Sequence, residues 1–110
     1  MPSRPYLYQA AALAVISGDT FQAELDLGFD LYTKVTVRLA GYKAPIKGQP
    51  GFELAQMYLK AMLRTDTLLV QPLQREAVGV WSAEVTVNDG KSAADLMNEF
   101  AANLLIKQHQ

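Results

Sequence analysis

Apolar and polar residues alternate along two consecutive stretches in the first third of the chain. From Thr20 to Leu27, Phe21, Ala23, Leu25 and Leu27 share one parity, and Thr20, Gln22, Glu24 and Asp26 the other. The same period returns in Leu31–Leu39, where Val35, Val37 and Leu39 oppose Lys34, Thr36 and Arg38. Successive side chains of a strand point to opposite faces, so this pattern predicts two strands, each with one face in a core. Gly28-Phe29-Asp30 closes them into a hairpin. Ala10–Ser17 predicts a strand ahead of them, carried by Val15 and Ile16, with Gly18-Asp19 as the turn. Gly41 then frees the backbone and Pro45 removes a ladder donor, so the third strand must end in a loop.

Beyond the Pro45–Gly51 loop the period changes. Leu54, Met57, Tyr58 and Ala61 recur at helical spacing, which predicts a helix over Glu53–Leu63 with that stripe inward. Glu53 falls in its first turn, where the helix dipole favours a carboxylate. Thr67–Val70 reads as a short strand ended by Pro72, followed by a loop that holds Arg75 and Glu76. Val80–Val87 is a fifth strand with Trp81, Ala83, Val85 and Val87 inward. Asn88-Asp89-Gly90 is a turn, and Ser92 with Asp95 makes a capping pair for a last helix. That helix carries Ala93, Leu96, Met97, Phe100 and Leu104 on one face. The predicted class is therefore α+β and mainly β, ordered as three strands, helix, two strands, helix. Closing the strands into a five-stranded barrel of the oligonucleotide/oligosaccharide-binding (OB) type would remove most free edges, and one of the two main helices could plug an end.

The 110 residues suffice for one domain, 1–110, with 1–9 and 106–110 expected as fraying ends. Half of them are apolar, which places the chain among globular proteins. The absence of cysteine excludes thiol catalysis and disulfides. The lone histidine, His109, adjoins the C-terminus, which argues against histidine-based triads and zinc sites. We expect no cofactor and no resident metal. Arg4 and the Tyr6–Ile16 run faintly mimic a signal peptide, but Pro5 and Gln9 interrupt it and Asp19 follows closely. The cytoplasm is the expected compartment, ahead of secretion, and no membrane span is expected.

Charge matters only locally. The net value is −1, without the global basic excess usual for nucleic-acid binders. Yet Lys34, Arg38, Lys43 and Lys47 follow one another with no carboxylate between them. They form either a basic patch or simply a solvated strand face with two loop lysines.

Four segments in order resemble the staphylococcal-nuclease-like (thermonuclease) family over about Val15 to Leu105. They are Val15-Ile16-Ser17-Gly18-Asp19-Thr20, Val37-Arg38-Leu39-Ala40-Gly41-Tyr42-Lys43-Ala44-Pro45, Gly51 with Glu53, and Gly79-Val80-Trp81-Ser82-Ala83-Glu84-Val85 followed by Asp89-Gly90-Lys91. The resemblance implies the same barrel and a calcium-dependent phosphodiesterase ancestry. In that family two carboxylates hold the ion, a glutamate activates water and two arginines steady the phosphate. By resemblance, Asp19 matches the first calcium carboxylate and Arg38 the first arginine. Lys43 stands in place of the second carboxylate, Ala44 of a ligand threonine, Ile46 of the general base and Val80 of the second arginine. Loss of a general base costs ~10²–10⁴ in rate, and an ammonium in a ligand position repels the ion.

The expected function is a catalytically inactive, nuclease-like OB binding module. Its binding residues would be Lys34, Arg38, Tyr42, Lys43 and Lys47, and its partner single-stranded nucleic acid or an acidic or phosphorylated protein segment. Two other readings stand beside it. One is a residual or altered metal-dependent phosphodiesterase, with Glu53, Arg75 or Glu76 compensating. The other is a structural or assembly protein, suggested by the near-neutral charge and by Ile46. Asp19 itself is expected to cap its turn or to pair with Lys43 or Arg38.

Overall fold

The computed structural model describes residues 7–64, 68–87 and 90–108, with side chains described as far as 102. Strands β1 (Tyr8–Ser17), β2 (Thr20–Gly28) and β3 (Leu31–Leu39) form an antiparallel meander. Helix α1 (Phe52–Met62) follows, then the hairpin of β4 (Leu69–Ala77) and β5 (Val80–Val87), a two-residue β6 (Lys91–Ser92), and α2 (Ala93–Gln108). Two pairings close the sheet on itself. The first residues of β1 join β4, with Tyr8 opposite Val70, and β3 runs parallel to β5, with Val37 opposite Trp81. The result is a closed, five-stranded mixed barrel of OB type with two helices. Closure leaves few exposed ladder edges.

The alternating pattern fixes the barrel interior. Phe21, Ala23 and Leu25 of β2, Val37 and Leu39 of β3, and Ala83, Val85 and Val87 of β5 are all buried, as their parity predicts. The parity weakens at one end only: Leu27 is 41% exposed, while Val35 and Trp81 are half-buried. The β2–β3 turn uses Phe29 and Asp30 at φ 57° and 62°. Tight hairpins of this kind need positive φ at both central positions, because that twist matches the strands they join. At the opposite end of β2, Gly18 packs directly on α1. A Cβ built there would lie 2.6 Å from the Ala55 Cβ and 2.9 Å from the Ala44 Cβ. Only a residue without a side chain lets the turn, the loop and the helix meet this closely.

Several expectations need correction. The inward face of α1 is Ala55 and Leu59, followed by Leu63, whereas Leu54, Met57 and Tyr58 remain exposed. Both faces of this helix are apolar, so periodicity alone picked the wrong one. Tyr58 is instead stacked on Phe100 of α2, with ring centroids 4.2 Å apart. Strand β4 does not end at Pro72 but continues to Ala77, with register shifts at Pro72/Gln74 and Arg75/Ala77. A bulge beside the proline accommodates its missing N–H. Arg75 and Glu76 therefore sit on a strand rather than in a loop. Tyr8 and Gln9, expected in a fraying end, are paired with β4, and α2 reaches Gln108. The expectations for Thr67, Asn88-Asp89 and His109 fall outside the described residues, as does that for the Leu104 side chain. Among the described residues, no helix is long and apolar enough to cross a membrane.

Candidate functional site

The β1–β2 turn, the end of β3 and the loop leading to α1 converge around Asp19. This is the one buried charged residue among those described. Its Oδ1 accepts hydrogen bonds from the Ser17 hydroxyl at 2.8 Å and the Thr20 hydroxyl at 2.9 Å. Its Oδ2 accepts the Ala44 backbone N–H at 3.1 Å. The Asp19 carbonyl in turn accepts the Leu39 N–H at 2.8 Å. A buried carboxylate must be met by donors, and here every donor comes from this chain. The expected pairing with Lys43 or Arg38 is replaced by this clasp. Among the described residues the Lys43 ammonium has no hydrogen bond or ion pair, and Arg38 is engaged elsewhere.

The clasp fixes a loop that is pinned at two further points. Asn98 of α2 donates to the Gly41 carbonyl at 3.1 Å. The Ile46 N–H donates to the Gln49 side chain at 2.9 Å, and the Gln49 N–H returns a bond to the Ile46 carbonyl at 2.9 Å. Between these anchors Tyr42 leans on the core while Lys43, Ile46 and Lys47 face solvent, Ile46 at 63% exposure. Burial, and then the nearby Asp19 charge, push the Tyr42 phenol above its usual range. Both disfavour the phenolate.

Around the barrel wall, Arg38 Nη1 donates to Glu76 Oε1 at 3.0 Å. Ser82 donates to Glu76 Oε2 at 2.6 Å. Three strands are thereby bridged on their outer face, β4 to β5 to β3. The Ser82 hydroxyl first, and Arg38 second, hold the Glu76 carboxyl below the usual glutamate range. Further along β3, Lys34 lies opposite Glu24 of β2. Arg38 and Lys34 are four positions apart, roughly 13 Å along an extended strand.

No known family model and no curated protein sequence matches the chain.

Of the residues expected to bind, Lys43 and Lys47 share the pinned loop, and Tyr42 supports it from beneath. Lys34 and Arg38 share the outer face of β3; Arg38 is in direct contact with Glu76, whereas Lys34 stands across from Glu24 in register without an ion pair among the described residues. Val80 begins β5 half-buried opposite Thr36, with no polar group to offer. Glu53 is exposed in the first turn of α1. No cluster of three or more metal-ligating side chains occurs among the described residues. Ending β4 at Pro72 hides Glu76 as the partner of Arg38, and Ser82 as the second donor to Glu76. Gln74, Arg75 and Glu76 are consecutive polar residues, so no period-two signal marks this half of the strand.

Proposed function

We propose that the chain is a non-catalytic binding module of the nuclease-like kind its sequence resembles, and that its pinned 41–49 loop engages an acidic protein segment. The observation that carries this is the pairing state of the cations. Lys43 and Lys47 are free of carboxylates among the described residues and flank the exposed Ile46, on a loop held by Asp19, Asn98 and Gln49. A preordered loop loses little entropy on binding. Two ammonium groups beside an apolar side chain suit a peptide that alternates acidic and apolar residues.

Single-stranded nucleic acid is the second reading, favoured by the barrel type itself. It asks for a continuous basic track with exposed stacking rings. Arg38 is committed to Glu76, which leaves Lys34 separated from the loop lysines, Tyr42 packs on the core, and the exposed Tyr32 lies at the far end of β3. Catalysis is disfavoured because both Asp19 oxygens already accept protein donors, and the counterpart positions hold Lys43, Ala44, Ile46 and Val80.

Fluorescence anisotropy tests the proposal with a labelled peptide of alternating glutamate and leucine beside labelled oligothymidylate, each across a salt series. We expect salt-sensitive peptide binding that the double variant Lys43→Glu/Lys47→Glu weakens about tenfold or more, and weaker oligonucleotide binding. Tighter binding of the oligonucleotide would replace the first reading by the second. Cleavage of DNA or RNA in calcium, magnesium or manganese, lost in Asp19→Ala, would overturn both.

A further inference from the structure

The barrel end remote from Gly18 and α1 holds a cavity of about 330 Å³. All five barrel strands contribute to its wall, and among the described residues neither helix does. Leu25 and Leu27 of β2 and Thr33 and Val35 of β3 form one side, with Pro72 of β4 and Trp81 of β5 across from them. This is where the inward parity of the strands fails to produce full burial. Leu27 is the extra residue of a bulge in β2 and is 41% exposed at the rim. Among the described residues no charged side chain lines the space.

We propose that this cavity is a binding site for a small, neutral, flat aromatic molecule of two or three fused rings. Size sets the first limit. An engineered apolar cavity of about 150 Å³ takes up benzene, so this one has room for roughly twice that guest. Charge sets the second. A carboxylate or ammonium drawn against these walls would lose part of its hydration without gaining a charged partner, which disfavours ions. Shape sets the third. Val35 and Thr33 are stiff β-branched residues, Pro72 is locked, and Trp81 presents a planar ring. Walls of this kind do not remould around a flexible alkyl chain, whose own rotors would also have to be frozen. A rigid ring system loses no such freedom and gains stacking with the indole. The Thr33 hydroxyl and the Trp81 indole N–H are wall residues able to orient a single hydroxyl or carbonyl on the guest. The site lies at the opposite end of β2 from the Asp19 clasp, so occupancy does not depend on the loop that carries the binding reading above.

Trp81 is the only tryptophan in the chain and serves as the reporter. The test is a titration of ¹⁵N-labelled protein with 2-naphthol, with 2-naphthoate as the charged control, followed by amide and indole N–H shifts. Saturable shifts are expected at the Trp81 indole and at the amides of Leu25, Thr33 and Val35, with naphthoate binding at least about tenfold more weakly. The variant Leu27→Trp, at the exposed rim, should block entry while keeping the spectrum of a folded barrel. Leu27→Ala should fold and bind as a control for the substitution itself. No saturable shift with 2-naphthol would overturn the proposal. So would equal binding of naphthoate, or undiminished binding by a folded Leu27→Trp.

Discussion

Replacing Asp19 with alanine removes the clasp at the centre of the candidate site, and its cost follows from the three bonds the carboxylate makes. The Ser17 and Thr20 hydroxyls are only part-buried, so water can take over as their acceptor. The Ala44 N–H bond is buried, and its donor would be left unmet. An unsatisfied buried donor costs about 1–3 kcal/mol, and a hydrogen bond to a charged group contributes about 1.5–3. Because those two figures overlap for the same bond, we expect Asp19→Ala to destabilise by about 2–4 kcal/mol. Asp19→Asn behaves differently. Its carbonyl can accept the Ala44 N–H while its amide donates to the two hydroxyl oxygens, so the expected loss is under about 1 kcal/mol. Urea unfolding followed by Trp81 fluorescence measures both, with the slope on urea unchanged. Calcium should leave all three midpoints where they are, since a ligand that binds only the folded state would raise them. An Asp19→Ala loss below about 0.5 kcal/mol, or an asparagine variant as unstable as the alanine one, would refute the clasp.

Other substitutions test the packing and the wall. Gly18→Ala sets a methyl 2.6 Å from the Ala55 Cβ; thermal unfolding should show a loss of about 1–3 kcal/mol from overpacking. Leu59→Ala empties a fully buried position of α1 and should cost about 2–5 kcal/mol. Met57→Ala, 66% exposed on the other face, should change unfolding by no more than about 0.5 kcal/mol; comparable losses for these two would mean the helix face is misassigned. Glu76 has a lowered folded pKa, so its contribution is present above the ordinary glutamate pKa and fades as pH falls through the lowered value. A carboxyl titration by NMR should find Glu76 below the usual glutamate range, and Ser82→Ala should raise it.

The β4 strand and the α1 helix show where reading the chain succeeds and where it stops. Period-two alternation in β2, β3 and β5 named the barrel interior correctly, because each of those strands has one apolar and one polar face. In α1 both faces are apolar, and only contact with Gly18 and the barrel chose Ala55 and Leu59. Pro72 reads locally as the end of β4, because a rule about missing N–H groups does not anticipate a bulge that accommodates one. The missed half of β4 carries Glu76, and with it the ion pair that occupies Arg38.

By itself, then, the sequence determined the number and order of the barrel strands, the loop between β3 and α1, and the exclusion of thiol chemistry. These depend on side-chain type and spacing over a few neighbouring positions. What Asp19, Arg38 and the β3 cations are bonded to was decided only by tertiary structure. Ser17 and Thr20 are chain neighbours of Asp19, but Ala44 is 25 residues from it and Glu76 is 38 from Arg38, and folding alone brings these two pairs within hydrogen-bonding distance. The same closure leaves the cavity beside Trp81, because how completely five strands fill their shared interior is a property of the assembled barrel and of no single strand.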